Sequence, residues 1–122
     1  METKLNILLA EDDKNLGSVL KNELEEEAYN IDLVYDGVEA VLRFIEKSYN
    51  FILLDIMMPR LDGINALRII KRLDPGVPVI AFTGNAAFYQ IEASCREGAV
   101  QCLPKPFLIT ELKESIRKYK DR

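Results

Sequence analysis

Apolar residues along this chain fall into five short, nearly continuous runs separated by stretches of helical period. The runs cover residues 5–10, 31–35, 51–54, 77–82 and 99–103. Continuous rather than alternating hydrophobicity predicts strands of a parallel sheet covered on both faces. The intervening stretches repeat apolar residues three or four positions apart, as on one face of a helix. Leu16, Leu20, Leu24 and Ala28 form the first stripe. Val38, Val41, Leu42 and Ile45 form the second, and Ile64, Leu67, Ile70 and Leu73 the third. Ala87, Ile91 and Ser94/Cys95 make a weaker fourth, and Leu108, Leu112, Ile116 and Tyr119 the fifth.

Turn residues agree with this division. Asp36-Gly37 and Asp62-Gly63 stand where the second and third helices begin, and Asp74-Pro75-Gly76 follows the third. Gly98 ends the fourth, where a positive φ is often required. Pro78 lies near the start of a strand, a tolerated position. Five strand–helix units in strict alternation predict parallel pairing with right-handed crossovers. The fold class is therefore α/β, with residues 1–122 as one domain. It is expected to be a single doubly wound, five-stranded parallel sheet of order 2-1-3-4-5, a flavodoxin-like (βα)5 three-layer sandwich. In such sheets ligands bind outside the carboxyl ends of the strands, at the switch between strands 1 and 3.

Composition narrows the chemistry. The 122 residues include no His, which excludes a Ser-His-Asp triad, an HExxH zinc site and a phosphohistidine on this chain. The two cysteines, Cys95 and Cys102, form no CxxC pair and no disulfide framework, as expected for a reducing cytoplasm. No apolar run approaches the length of a membrane span, and the N-terminus does not resemble a signal peptide. The formal net charge of −4 is unevenly spread: residues 1–61 carry −7 and residues 62–122 carry +3. Lys113, Arg117, Lys118, Lys120 and Arg122 read as the solvated, C-terminal face of a last helix. A single-stranded nucleic-acid surface would want interleaved aromatics there, so neither nucleic-acid nor membrane binding is expected of this chain.

The predicted carboxyl edge collects polar groups from four strands. Strand 1 ends in Glu11-Asp12-Asp13, strand 3 in Asp55, strand 4 in Thr83-Gly84-Asn85 and strand 5 in Lys105-Pro106. Asp13 also suits an N-cap of the first helix. Clustered carboxylates repel unless one is protonated or a cation is bound. An all-oxygen donor set suits Mg²⁺ or Mn²⁺ rather than zinc. A lysine and a threonine hydroxyl beside it complete a phosphoryl-binding site. A carboxylate so placed can attack phosphorus to give an aspartyl phosphate.

Five segments spanning nearly the whole chain carry a resemblance. They are ILLAEDD (7–13), YDGVEA (35–40), ILLDIMMPRLDG (52–63), PVIAFTG (78–84) and GAVQCLPKPF (98–107). Together they resemble the receiver domain of two-component response regulators, of the chemotaxis-regulator type. The resemblance implies that Asp55 is the phosphoacceptor. It implies metal binding by Glu11, Asp12, Asp55 and the backbone carbonyl of Met57, with Asp12 a direct ligand and Glu11 acting mainly through water. Lys105 would hold a phosphate oxygen and pair with Asp55 before phosphorylation, and Thr83 would turn toward the phosphate. Met57 and Asn85 would tune autodephosphorylation, and the peptide bond before Pro106 would be cis. Beyond its own phosphorylation and autodephosphorylation, no enzymatic activity is implied. The donor would be a sensor histidine kinase or histidine phosphotransfer protein, and the output a downstream protein target in the cytoplasm. Phe88, Tyr89, Gln101, Lys113 and Arg117 would face that target from helix 4, strand 5 and helix 5. Met1 fits the N-terminus of a regulator.

Two departures from the family pattern concern signalling rather than phosphoryl chemistry. Cys102 stands where an aromatic switch residue is usual, and Gly84 where alanine is common. The alternative function is a phosphorylation-independent, receiver-like protein-binding module, although such proteins usually lose an acid or the lysine. A phosphatase of the haloacid-dehalogenase type would need a second acid at the position of Met57. A flavodoxin would need a phosphate loop where Glu11, Asp12 and Asp13 stand, and three acids would repel a flavin phosphate.

Overall fold

A computed structural model describes the backbone of residues 4–58, 60–84 and 88–121, and the side chains of these except 88–90. The elements alternate strictly: β1 (Asn6–Ala10), α1 (Lys14–Glu25), β2 (Asn30–Val34), α2 (Gly37–Glu46), β3 (Phe51–Asp55), α3 (Gly63–Leu73), β4 (Val79–Thr83), α4 (Phe88–Arg96), β5 (Gln101–Pro104) and α5 (Ile109–Tyr119). All strand pairs are parallel and the sheet order is β2-β1-β3-β4-β5, as the pattern predicts.

Every residue of the central strands β3 and β4 is buried. That burial explains their unbroken hydrophobicity, because both sheet faces are covered. On one face Ile7, Leu9, Leu53 and Phe82 pack against Leu20 and Leu24 of α1 and Leu112 and Ile116 of α5. On the other, Leu8, Ile52, Leu54 and Ala81 pack against Ala40 of α2 and Ala66, Leu67 and Ile70 of α3.

Aspartates start three helices. Asp13 accepts from Asn15 N and Leu16 N, Asp36 from Glu39 N and Asp62 from Asn65 N. Each satisfies backbone donors that the first helical turn leaves open. Gly98 follows α4 with φ +106, the left-handed conformation expected of it.

Several stripe positions lie elsewhere than their spacing suggests. Ala28 is beyond α1 and has φ +64. Leu42 and Ile45 of α2 and Leu73 of α3 are exposed. Helix α2 instead buries Gly37 and Ala40 and packs Val41 and Phe44 on the core. Its apolar residues share one broad arc about half the helix wide, and the edge of that arc carrying Ala40 and Phe44 turns to the core. Leu108 is the exposed N-cap of α5, and its N–H donates to Glu111 Oε1 at 3.1 Å.

Two glycines admit no side chain. A Cβ on Gly63 would overlap Ile56 Cα and the Asp55 carbonyl, and one on Gly37 would overlap the Leu61 carbonyl. At Gly84 a Cβ would make an ordinary contact of 3.8 Å with Lys105 Cδ. Gly63→Ala should therefore destabilise the fold by about 2–3 kcal/mol, whereas Gly84→Ala should change stability by less than about 0.5 kcal/mol in urea unfolding.

Candidate functional site

Parallel strands deliver their carboxyl ends to one edge, and the polar residues predicted there do converge. Glu11 follows β1, Asp55 closes β3, Thr83 closes β4 and Lys105 follows β5. Glu11, Asp55 and Thr83 are buried, while Asp12 and Asp13 are exposed. The ladder carries the backbone into this edge. Glu11 N donates to Val34 O, Ile56 N to Phe82 O and Lys105 N to Thr83 O, at 3.0, 3.0 and 2.7 Å.

Lys105 is the hub. Its Nζ lies 2.9 Å from Asp55 Oδ2 and 2.6 Å from Glu11 Oε1. Asp55 Oδ1 accepts from Met57 N at 2.8 Å, and Glu11 Oε2 accepts from Asp13 N at 3.1 Å. The Lys105–Pro106 peptide bond is cis. Phe107 follows and packs against Phe82, with ring centroids 4.9 Å apart. Met57 is exposed beside the site. Asn85 lies outside the described residues.

The charges do not balance. One ammonium faces two buried carboxylates, with Asp12 adjacent. Burial pushes the Glu11 carboxyl up to about 7, and the Asp55 charge adds to this, while Lys105 and the Asp13 N–H oppose it. For Lys105, burial alone would favour the neutral amine. Its hydrogen bond to Asp55, its close contact with Glu11 and the charges of both outweigh burial and raise its pKa. Carboxylate oxygens of Glu11, Asp12 and Asp55 lie within 4.8 Å of one another. Glu11 Oε1 is fully buried with no aligned hydrogen bond, so its close approach to Lys105 is an ion pair without hydrogen-bond geometry. An under-satisfied buried oxygen within an all-oxygen cluster fits a hard divalent cation.

A second ion pair joins the start of α2 to the segment before α3, and sequence reasoning missed it: Arg60 Nη1 lies 3.2 Å from Asp36 Oδ2. Asp36 was legible only as a helix cap. The left-handed conformation of Arg60, with φ +67, had no sequence signal.

The expected output surface needs correction. Lys113 and Arg117 face α1 instead: Lys113 Nζ is 3.2 Å from Glu23 and Arg117 Nη2 is 2.6 Å from Glu27. The surface of α5 toward β5 is formed by Glu111, Glu114, Ser115 and Lys118, which line a groove with Gln101. The side chains of Phe88 and Tyr89 lie outside the described residues. Cys102 is half-buried against the α2–α3 core, and burial pushes its thiol pKa up. Among the described residues, no helix is long and apolar enough to cross a membrane.

Comparison with known proteins converges on one family. Residues 7–117 match the family model of the response regulator receiver domain. The chain is 36% identical over 111 residues to the response regulator ArlR of Staphylococcus saprophyticus, covering 91% of this chain and 50% of that protein. It is 33% identical over 112 residues to the transcriptional regulatory protein RprY of Bacteroides fragilis, covering 92% and 48%. The chain thus spans about half the length of the curated relatives it matches. A CheY-like receiver domain protein of Methanospirillum hungatei superposes with TM-score 0.94 at 28% identity, over 98% of this chain and 95% of that one. The receiver domain of a sensor histidine kinase from Pseudomonas aeruginosa, solved with magnesium in its active-site cleft, gives TM-score 0.90 at 33% identity, over 98% and 100%.

The raised Glu11 pKa sets a direction for stability. Between its ordinary value of 4.5 and about 7 the unfolded chain holds fewer protons at this group than the folded one. Its contribution to stability therefore falls as pH rises through that window. In divalent-free buffer, Glu11→Gln should stabilise the protein by about 2 kcal/mol at pH 8. The difference should vanish near pH 4.5, as read by urea unfolding at both pH values.

Proposed function

The chain belongs to the response regulator receiver domain family, and from that premise we propose that Asp55 accepts a phosphoryl group in a Mg²⁺-dependent reaction. Receiver domains of this family work with histidine kinases. The donor here is a sensor histidine kinase or a histidine phosphotransfer protein. The observation that carries the reading is the buried Glu11–Lys105–Asp55 cluster, whose negative charge exceeds its positive charge at the switch between β1 and β3.

In this reading an Asp55 carboxylate oxygen forms the O–P bond as the P–N bond to the donor imidazole breaks. The electron pair leaves with the imidazole. Asp55 is oriented for this by the Met57 N–H and the Lys105 ammonium. Lys105 then holds a phosphoryl oxygen, and its raised pKa keeps it charged throughout. Burial removes competing water from the nucleophile. Thr83, at the end of β4 and joined to Lys105 through the backbone, turns its hydroxyl toward the phosphoryl group in this reading. Glu11, Asp12, Asp55 and the Met57 carbonyl would hold Mg²⁺, with Mn²⁺ as a substitute. The cation supplies charge neutralisation at the transferred group.

Output passes to a downstream protein target at the surface of α4, β5 and α5, where Gln101, Glu111, Glu114 and Lys118 stand. Autodephosphorylation is tuned by Met57 and Asn85. The reading entails a cytoplasmic site of action and no direct nucleic-acid contact by these residues.

Incubation with acetyl phosphate tests it by intact mass. A gain of one phosphoryl group is expected with Mg²⁺. The gain should be absent with chelator and absent in Asp55→Asn. Folded wild-type protein that gains no mass would instead favour a phosphorylation-independent binding module.

A further inference from the structure

We propose that Asp36 and Arg60 form a latch that positions the loop between β3 and α3, and with it the Met57 carbonyl, for the cation; this rests on the phosphoryl-transfer reading above. The loop is closed at its base, where Gly63 N donates to Ile56 O at 3.1 Å and Gly63 packs on the backbone of Asp55 and Ile56. Its outer part meets a different element, the start of α2. There the Leu61 carbonyl sits against Gly37, with no room for a Cβ between them.

Asp36 serves both elements at once. Its Oδ1 accepts from Glu39 N at 2.8 Å and caps α2, while its Oδ2 faces Arg60 at 3.2 Å. The Asp36 side chain is only 10% exposed and that of Arg60 is 62% exposed. The carboxylate is thus the fixed end and the guanidinium the end that the loop brings to it. Arg60 holds φ +67, a conformation that costs a residue with a side chain about 1 kcal/mol. An arginine in that conformation pairs with the capping aspartate of the neighbouring helix. The pair therefore fixes Arg60 and Leu61 in the outer part of the loop that follows Asp55 and begins with Ile56 and Met57. Asp36 is a positioning residue, acting through Arg60 and touching neither cation nor phosphoryl group.

Asp36→Asn and Arg60→Gly test the latch. Asparagine keeps the cap and loses the charge, and glycine relaxes the backbone and loses the guanidinium. In metal-free protein, amide exchange at Met57, Met58 and Leu61 should accelerate several-fold in each variant, while α2 and the thermal midpoint change little. The Mg²⁺ concentration for half-maximal phosphorylation by acetyl phosphate should rise about three- to ten-fold, with the rate at saturating Mg²⁺ within two-fold of wild type. The double variant should be no worse than the more affected single variant, because both remove one interaction. Unchanged exchange and unchanged Mg²⁺ dependence in both variants would overturn the latch, as would effects that simply add in the double variant. Faster exchange in both variants of a protein whose wild type takes up no phosphoryl group overturns the phosphoryl-transfer reading and leaves the latch supported.

Discussion

One ammonium group between two buried carboxylates governs this molecule. Lys105 lies within ion-pair distance of Glu11 and Asp55, and neither acid reaches bulk water. Burying unpaired charge is expensive, and a single lysine cannot neutralise two acids. The imbalance appears in the Glu11 carboxyl, which burial pushes to about 7. A proton on Glu11 relieves it, as a cation on the same oxygens would. The parallel sheet creates this situation. It brings the ends of β1, β3 and β5 together at one edge, where helical connections leave the strand termini open.

The loop after Asp55 is held by close backbone approach as well as by the apolar contacts of Ile56, Met58 and Leu61 with the core. Gly63 allows α3 to begin directly against the backbone of Asp55 and Ile56. Gly37 allows the next layer, the start of α2, to meet Leu61. Each glycine follows an aspartate that caps its helix. The Asp-Gly pairs are therefore two-part devices: the carboxylate fixes where the helix starts, and the missing side chain fixes how near the loop after Asp55 lies. A substitution at either position acts on the site through backbone geometry and leaves its charges intact.

The fold was legible because its signals are local and repeated. Five continuous apolar runs, five helical periods and their turn residues specify strict alternation, which leaves little freedom of topology. Rotations of individual helices were less legible. In α2 the apolar residues Val38, Ala40, Val41, Leu42, Phe44 and Ile45 share one broad arc about half the helix wide, so spacing alone does not say which edge of that arc is buried. Contacts at Gly37 and Ala40 decide it, and they depend on a neighbouring loop distant in sequence. Ala28 marks a second limit. A helical spacing continues through a residue that in fact turns the chain with positive φ.

The same distinction separates what was readable in the candidate site from what was not. Glu11, Asp55, Thr83 and Lys105 each close or directly follow a strand, so topology alone brings them to one edge. Lys113 and Arg117 are placed by the rotation of α5, which packs Leu112 and Ile116 on the sheet. With that stripe fixed, Lys113 and Arg117 point along the α1 side and meet Glu23 and Glu27. Glu111, Glu114 and Lys118 are left toward β5. Charge on a helix therefore does not identify an outward surface until the acids of the neighbouring helix are counted. In this chain those acids lie ninety positions away in sequence. The groups that strand ends deliver are legible from order alone, whereas those carried on helix flanks require the packing angle, which no single stripe encodes.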